Sequence, residues 1–288
     1  PQDRRQMRAI AQAAKLAYED VLFLNLFYSL TVNHPACRQV VVWGPLTTDG
    51  RLLHARNLDW PDYPGRPLQK NHTLVNVRPE KGHGYLMITW PGLIGVLTGT
   101  NREGLTVGFN QLPGKADPKR KAEPTTFVLK RVLRNCRTVD EAVALIRKAR
   151  PLDNGSVMVS SAPNKKAAVV EIVDGRVGVR FAEKNEHRIG NANHPTHEAG
   201  LKNLGDYGPA GAPVCPVVDG LGKGLKPESL RAVMRHEKVI QRFNLMSVVF
   251  DPARNRMDLA TGPAPAAAGT YKRYVLFNRP PSDAPASR

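Results

Sequence analysis

The sequence predicts an α+β protein in which antiparallel sheets are layered with helices. Segments follow the order helix, strands, two helices, strands, helix and strands, which is typical of that architecture. Glycine and proline separate the strand-like segments. With 288 residues, 41% of them apolar, the chain is long enough to bury a substantial core.

The first element is predicted to be a helix. Its apolar residues recur at steps of three and four positions, and basic residues stand between them. The apolar set is Met7, Ile10, Ala11, Ala14, Ala17 and Tyr18, and the basic set is Arg4, Arg5, Arg8 and Lys15. The apolar run 21–28 follows, and we expect it to be buried.

The rest of the chain alternates between strands and helices. Strands are predicted at residues 40–42, 52–57, 73–77, 85–89 and 105–110. One helix begins near Pro124, and a second is opened by Thr138 with Glu141 three residues later, a capping box, and closes before Pro151. Strands at 157–160, 168–172 and 177–181, a helix at 228–243, and strands at 246–250, 257–260 and 271–277 complete the order.

Cys37 is the strongest candidate for a catalytic residue. Arg56 and Asp59 follow it by nineteen and twenty-two residues. A thiol reacts as the thiolate, so a catalytic cysteine needs a base for its proton and positive charge near the anion. Arg56 can supply the charge, but none of the eight histidines stands in an evident partnership with Cys37.

Cleavage of the peptide bond between Ala36 and Cys37 would supply the base. The freed α-amino group, with a reference pKa of ~7.7 to 8, lies on the same residue as the thiol and suits a base near neutrality. Asp59 can orient this amine through a charge-assisted hydrogen bond. The alternative is that Cys37 is a small buried apolar residue of a strand, as most lone cysteines are.

Three segments of the chain resemble motifs of one enzyme family. They are residues 37–60, which end in HARNLDW, residues 98–110 with the string TGTNREGLTVGFN, and residues 191–194 with NANH. In this order they resemble motifs of N-terminal-nucleophile (Ntn) cysteine amidases. The family is that of penicillin (isopenicillin N) acyltransferase, related to acid ceramidase, N-acylethanolamine acid amidase and bile-salt (choloylglycine) hydrolase. The similarity extends over residues 20–275.

The resemblance implies a four-layer αββα Ntn-hydrolase sandwich that needs no cofactor. It implies that Cys37 is the nucleophile and, after cleavage, its own base, with Arg56 and Asp59 as the supporting pair. Asn193 would be a donor to the oxyanion, and Asn110 falls where bile-salt hydrolases have a second asparagine near the reacting carbonyl.

A late arginine also belongs to the pattern in some relatives, and both Arg231 and Arg235 compete for this role. One difference from the family is that Arg38 and Gln39 follow the cysteine where relatives have small or hydroxyl residues.

Trp60 and Trp90 are the expected substrate-binding residues. By periodicity, residues 85–97 are a pair of core strands around a Pro-Gly turn. The resemblance places Trp90 and its neighbours near the nucleophile, where an apolar wall could hold an acyl chain. The two interpretations can describe opposite faces of the same segment.

These features predict a self-processing hydrolase of linear N-acyl amides that acts through a thioester. Water would resolve the thioester by hydrolysis, whereas an acceptor amine would give acyl transfer. The expected substrate is a small molecule with an apolar acyl group. We expect residues 1–36 as a helical piece that stays associated after cleavage, 37–278 as the catalytic domain, and 279–288 as a flexible tail.

The net charge of +17 raises a hypothesis of another class. A basic surface attracts anions in general, so a non-catalytic protein that binds anionic polymer or lipid is the alternative, and an anionic membrane or envelope is a possible partner of the enzyme. Aromatic residues are only 6% of the chain and do not interleave with a basic run, so nucleic acid is not expected.

Three cysteines cannot form a disulfide framework, and at most Cys136 and Cys215 could pair. His194 and His197 lack the second cluster that a metal site needs, so no metal is expected. No apolar stretch is long enough for a membrane span. The chain begins at Pro1 rather than Met, which would fit a removed leader and favours an extracytoplasmic over a cytoplasmic location.

Overall fold

The computed structural model describes residues 2–30, 37–61, 67–112, 119–183, 185–193 and 214–278. Three expectations lie outside these ranges: Ala36 on one side of the cleavage site, the histidines of residues 194–197, and the tail 279–288.

Two antiparallel sheets form the centre of the molecule. Their strands, numbered β1 to β13 in chain order, are Arg38–Gly44, Gly50–Asp59, Thr73–Val77, Tyr85–Thr89, Thr98–Asn101, Leu105–Gln111, Gly155–Ser161, Lys166–Val173, Arg176–Phe181, Arg188–Asn191, Asn244–Asp251, Arg256–Thr261 and Lys272–Val275. Sheet 1 has the order β10-β1-β2-β11-β12-β13, and sheet 2 runs from β3 to β9 in sequence.

Helices cover the outer faces of both sheets. The described helices, α1 to α7, are Gln2–Ala14, Tyr18–Leu30, Pro67–Lys70, Thr125–Asn135, Val139–Ala149, Val214–Leu221 and Pro227–Arg235. Helices α4 and α5 pack on sheet 2, and α6 and α7 pack on sheet 1. The predicted αββα sandwich is therefore confirmed.

Capping and amphipathic spacing explain the most clearly predicted helix, α5. The Thr138 side chain accepts a hydrogen bond from the Glu141 backbone at 3.2 Å, and the Glu141 carboxylate accepts one from the Thr138 backbone at 3.3 Å. This is the capping box that the sequence predicted. Its apolar face, Val139, Ala142, Val143 and Ile146, is buried.

The N-terminal segment is a hairpin of two helices rather than one helix through Tyr18. Lys15, at φ 55°, ends α1. The hairpin packs through Met7, Ala11 and Val21 against Ile94 and Phe127. The run 21–28 is buried on one face only, since Phe23 is 56% exposed, so the expectation that the whole run is buried was wrong.

The helix predicted at 228–243 is shorter than expected. It ends at Arg235, and His236 caps it in an extended conformation with ψ 137°. The chain must turn back there because Asn244 opens β11 opposite Asp59.

The sequence did not predict α3, α6 or β10. The expectation of a pair of core strands within residues 85–97 was wrong for the second strand, because β4 ends at Thr89 and β5 begins only at Thr98. Pro216 lies in the first turn of α6, where a proline costs no intrahelical hydrogen bond. β10 pairs with β1, with Asn191 opposite Gln39. Cys136 lies just past the end of α4, and neither it nor Cys215 forms a disulfide. None of the described helices has the length and apolarity to cross a membrane.

Candidate active site

The pairing of β1 with β2 brings Cys37 to Arg56 and Asp59. Cys37 immediately precedes β1, and the register sets Gln39 opposite Arg56. The Cys37 thiol is 1% exposed and lies 3.7 Å from the backbone oxygen of Asp59. Cys37 and two residues of β2, nineteen and twenty-two positions later in the sequence, therefore form one buried cluster.

Arg56 crosses the space between the two sheets. Its Nη1 donates to the Leu97 carbonyl and its Nη2 to the Phe109 carbonyl, each at 2.5 Å. Burial raises the pKa of the Cys37 thiol, and the charge of Arg56 acts against this rise. In the uncut chain the thiol therefore stays protonated, and Arg56 is placed to stabilise the anion once a base removes the proton.

Asp59 is buried with only one of its carboxylate oxygens engaged. Oδ1 accepts a hydrogen bond from Asn244 Nδ2 at 2.7 Å. Within the described part of the chain Oδ2 has no hydrogen-bond partner. Burial raises the pKa of Asp59 to about 7, against the lowering effects of Asn244, Arg38 and Arg56. The effect of burial on this carboxyl group therefore outweighs the nearby charges of Arg38 and Arg56.

The two asparagines approach the cluster from sheet 2 and from the end of β10. Asn110 is fully buried, and its Oδ1 accepts a hydrogen bond from Gln39 Nε2 at 2.7 Å. Asn193 Nδ2 donates to the Gln111 carbonyl at 2.5 Å. Because a carbonyl can only accept, the amide of Asn193 is held with its NH₂ group on the Gln111 side.

The aromatic rings of Tyr28, from α2, and Trp60, the residue after β2, lie at the cluster. The ring centroids of Tyr28 and Trp60 are 4.8 Å apart, and Tyr28 also lies 5.2 Å from Phe109. Burial, followed by the neighbouring Cys37, raises the pKa of Tyr28. The N-terminal segment thus supplies a buried aromatic residue beside the candidate nucleophile.

Trp90 packs, partly buried, against the same apolar core as Cys37 and Trp60, and it also adjoins an open cavity. Its Nε1 donates to the Leu68 carbonyl at 2.8 Å, and its ring lies 5.1 Å from that of His72. His72 lines an open cavity of about 370 Å³ together with Gln69, Lys70, Thr261, Gly262 and Pro263. Trp60 is therefore at the cysteine cluster, whereas Trp90 adjoins this cavity through His72.

The two late arginines lie on α7, and neither has a described contact with the cysteine. Arg231 pairs with Glu228 at 3.3 Å and Asp258 at 3.6 Å. Arg235 donates to the Ala267 carbonyl at 2.7 Å and to the Gly269 carbonyl at 2.6 Å. The Ala267 backbone N–H in turn donates to Asn244 Oδ1 at 2.8 Å, so Arg235 is connected to Asp59 only indirectly.

Sequence reasoning missed four residues of this region: Tyr28, Gln39, His54 and Asn244. Gln39 and His54 did carry a signal, since both are polar residues at positions of β1 and β2 that alternation turns toward the other sheet. No comparable signal marked Tyr28 or Asn244, whose roles depend on contacts between distant segments.

A family model described as acyl-coenzyme A:6-aminopenicillanic acid acyl-transferase matches residues 46–208. This is more than half of the chain, and the range includes Arg56, Asp59, Asn110 and Asn193. The chain belongs to this acyltransferase family. Cys37 precedes the matched range.

Solved structures similar to this acyltransferase-family chain have the same fold. An N-acylethanolamine-hydrolyzing acid amidase ortholog of Caenorhabditis elegans aligns with TM-score 0.61 and 19% identity, over 84% of this chain and 100% of that one. Penicillin V acylase from Agrobacterium tumefaciens aligns with TM-score 0.57 and 17% identity, over 78% and 83%. A mutant conjugated bile acid hydrolase from Clostridium perfringens aligns with TM-score 0.56 and 14% identity, over 84% of this chain and 97% of that one. These likenesses establish an Ntn-hydrolase fold.

Two curated relatives are longer proteins. Protein dcd1A of Dictyostelium discoideum is 28% identical over 156 residues, half of this chain and 34% of that protein. An uncharacterized protein of Archaeoglobus fulgidus is 22% identical over 204 residues, 62% of this chain and 34% of that protein. The chain thus spans about a third of the length of the curated relatives it matches. The family is described as an acyl-transferase, and two of the structural neighbours are named as an amidase and a hydrolase.

Proposed function

We propose that this chain is a self-processing N-terminal-cysteine hydrolase that cleaves the amide bond of N-acyl substrates through a thioester. The observation that carries the proposal is the buried cluster of Cys37, Arg56 and Asp59. Asp59 Oδ2 has no partner among the described residues, and an α-ammonium group on residue 37 would give this oxygen a hydrogen bond and the carboxylate a counter-charge.

The proposed maturation begins with attack of the Cys37 sulfur on the carbonyl carbon of Ala36. The new C–S bond replaces the C–N bond between the two residues, and the proton of the thiol ends on the freed nitrogen. Water then hydrolyses this thioester, which releases the carboxylate of Ala36 and regenerates the thiol. The product is a mature chain that begins at Cys37 and carries its own amine base.

In turnover the α-amine takes the proton of the thiol, and the thiolate attacks the substrate carbonyl. Arg56 stabilises the thiolate, and the amides of Asn110 and Asn193 donate to the oxyanion. The leaving amine takes the proton, and water hydrolyses the remaining thioester to a carboxylic acid. An acceptor amine in place of water would give acyl transfer, which the description of the family favours as the second candidate reaction.

The substrate that we propose is a small N-acyl amide with an apolar acyl group. Trp60, Tyr28 and Phe109 supply buried aromatic surface at the cysteine cluster. The structural neighbours are named for activities on acyl amides, and each of these activities is that of the neighbour itself. The cavity beside His72 offers further space near Trp90.

The first prediction concerns self-cleavage and is tested by the intact mass of denatured protein. We expect the wild-type chain to give two fragments that divide between Ala36 and Cys37, because the thiol is the nucleophile of its own maturation. Cys37→Ala should remain one chain. Cys136→Ala is the matched control, since it removes another buried cysteine and should cleave like wild type.

The cleaved protein is then assayed on a panel of N-acyl amides, with and without an acceptor amine. Free fatty or aryl acid indicates hydrolysis, and a new amide indicates transfer. If wild type cleaves a substrate while its chain remains intact, the α-amine is not the base. If Cys37→Ala retains turnover, Cys37 is not the nucleophile.

A further inference from the structure

A continuous chain of buried polar side chains connects β7 to Asn110 through β2 and β1. Ser160 Oγ lies 2.9 Å from His54 Nδ1, and His54 Nε2 lies 3.1 Å from Gln39 Oε1. Gln39 Nε2 then lies 2.7 Å from Asn110 Oδ1 and 3.1 Å from the Gly108 carbonyl. All four side chains are at most 1% exposed.

The Gly108 carbonyl fixes the direction of every hydrogen bond in this chain. A backbone carbonyl only accepts, so the end of Gln39 that faces it must be the NH₂ group. Gln39 Oε1 must then accept from His54, which makes Nε2 the protonated ring nitrogen. Nδ1 of a neutral His54 is left to accept from Ser160. Burial lowers the pKa of His54 to about 3, which agrees with a neutral ring.

The orientation of Gln39 also fixes the amide of Asn110. The NH₂ group of Gln39 faces Asn110, so Asn110 must present its Oδ1 to Gln39. The NH₂ group of Asn110 is thereby turned away from Gln39. It is buried and has no hydrogen-bond partner in the described part of the chain.

Gln39 lies close to the candidate nucleophile. Cys37 and Gln39 are two residues apart on an extended chain, so their side chains lie on one face at a spacing of about 7 Å. Asn110 contacts Gln39 through its Oδ1, and its NH₂ group has no partner in the described part of the chain, so we expect this group to face the cysteine site, where an oxyanion would form.

We propose that Gln39, oriented by His54 and Ser160, is a positioning residue that holds the Asn110 amide with its NH₂ group toward the oxyanion of the reaction. The inference rests on the proposed function and adds to it the residues that make Asn110 a donor. It also gives a role to Gln39, the residue that departs from the small or hydroxyl pattern of the family. Gly108 belongs to the arrangement, because a Cβ at that position would overlap Gln39 and crowd Arg56.

The second prediction is tested by a double-mutant cycle on the full chain after self-cleavage. The variants are Asn110→Ala, Gln39→Met and the double variant, assayed with a fluorogenic N-acyl aminocoumarin that wild type hydrolyses. Loss of one oxyanion donor lowers kcat by roughly 10²-fold or more, so each single variant should lose kcat on that order with little change in KM. The double variant should be no slower than Asn110→Ala, because Gln39 acts only through Asn110.

Thr106→Val is the matched control for a general loss of buried polar contacts. Thr106 lies on the same strand and face as Gly108 and Asn110, and its Oγ1 donates to Thr100 Oγ1 at 2.9 Å. This variant should keep the wild-type kcat. Alkylation of Cys37 by iodoacetamide should proceed at the wild-type rate in all variants, since thiolate formation does not use the Asn110 amide.

The outcomes separate this inference from the proposed function. A wild-type chain that neither cleaves itself nor turns over substrate would overturn the function. Suppose that wild type is active and that the kcat losses of Asn110→Ala and Gln39→Met multiply in the double variant. This result would overturn the positioning role alone, and so would a wild-type kcat in Gln39→Met. If variants mature too slowly for turnover assays, the rate of fragment appearance replaces kcat in the same cycle, because attack on the Ala36 carbonyl forms an equivalent oxyanion.

Discussion

At the scale of single residues, Asp59 is a group whose charge would differ between the uncut chain and the proposed mature chain. In the uncut chain it is buried, receives one hydrogen bond from Asn244 and has a pKa raised to about 7. An adjacent α-ammonium would favour the carboxylate and lower this pKa. Cleavage before Cys37 would therefore lower the free-energy cost of ionising the buried Asp59.

The third prediction is a stability change that depends on Asp59 and pH. In the uncut Cys37→Ala chain the folded pKa is about 7 and the unfolded pKa is about 3.9. The folded state then binds more protons between these values, so the free energy of unfolding falls as pH rises through this window. The effect is on the order of a few kcal/mol.

Urea unfolding of Cys37→Ala, with and without Asp59→Asn, measures this effect. Asp59→Asn should raise the free energy of unfolding more at a pH of about 7.5 than at a pH of about 4.5. His54, with a pKa lowered to about 3, acts in the opposite direction because its contribution is lost as pH falls below about 6.5. His54 is present in both chains, so its contribution cancels in the difference. If the difference in free energy of unfolding between the two chains does not vary with pH, the pKa of Asp59 is not raised in the folded state.

At the scale of elements, a buried polar side chain helps to hold α2 against the segment between β4 and β5. Asn25 Nδ2 donates to the Gly92 carbonyl at 2.9 Å, and Asn25 Oδ1 accepts from the Ile94 backbone at 2.8 Å. Tyr28, one turn later, lies against Trp60. These contacts support the proposal that the two pieces stay associated after cleavage.

The fourth prediction concerns this attachment. Asn25→Ala leaves the Ile94 N–H and the Gly92 carbonyl without their partner, so we expect a loss of about 1–3 kcal/mol in the free energy of unfolding. In the cleaved protein the two pieces should co-elute in native gel filtration and separate at lower urea in the variant. Gln12→Ala, an exposed position of α1, is the control. Equal urea dependence in both variants would contradict the role of Asn25.

At the scale of the whole molecule, the chain has a net charge of +17, and its N-terminal helical hairpin exposes apolar side chains. Leu16, Phe23 and Leu30 are 54%, 56% and 61% exposed. Exposed basic residues of the same hairpin are Arg4, Arg5, Arg8 and Lys15. The hairpin thus exposes basic side chains on and just after α1 and apolar side chains on α2 and at Leu16, a combination that fits an anionic lipid surface, which we propose as a partner of the enzyme.

The fifth prediction is binding to lipid vesicles. The protein should sediment with phosphatidylglycerol vesicles, less with phosphatidylcholine, and less as salt increases, because screening weakens the attraction. Phe23→Ser should reduce the bound fraction. Phe181→Ser removes an exposed phenylalanine from β9 and should not. Equal binding to both lipids, or equal loss in both variants, would contradict a role for the hairpin.

Local pattern determined much of the architecture from the sequence. Alternation, turn residues and the Thr138 capping box predicted most strands and α5, because these signals act over a few residues. The motifs at 37–60, 98–110 and 191–194 identified the family and its layered fold. Residues 228–243 misled the prediction because the helix end is set by the pairing of Asn244 with Asp59, a contact between distant segments.

The sequence by itself therefore determined the fold class, the family and a set of candidate residues. Only the tertiary structure decided how they meet: the free oxygen of Asp59, the hydrogen bond from Asn244, the Tyr28 ring at the cysteine and the placement of both late arginines. The physical reason is that burial and hydrogen-bond direction are set by neighbours from other strands and helices. A one-dimensional pattern shows which face a side chain takes, but not the group that it meets there.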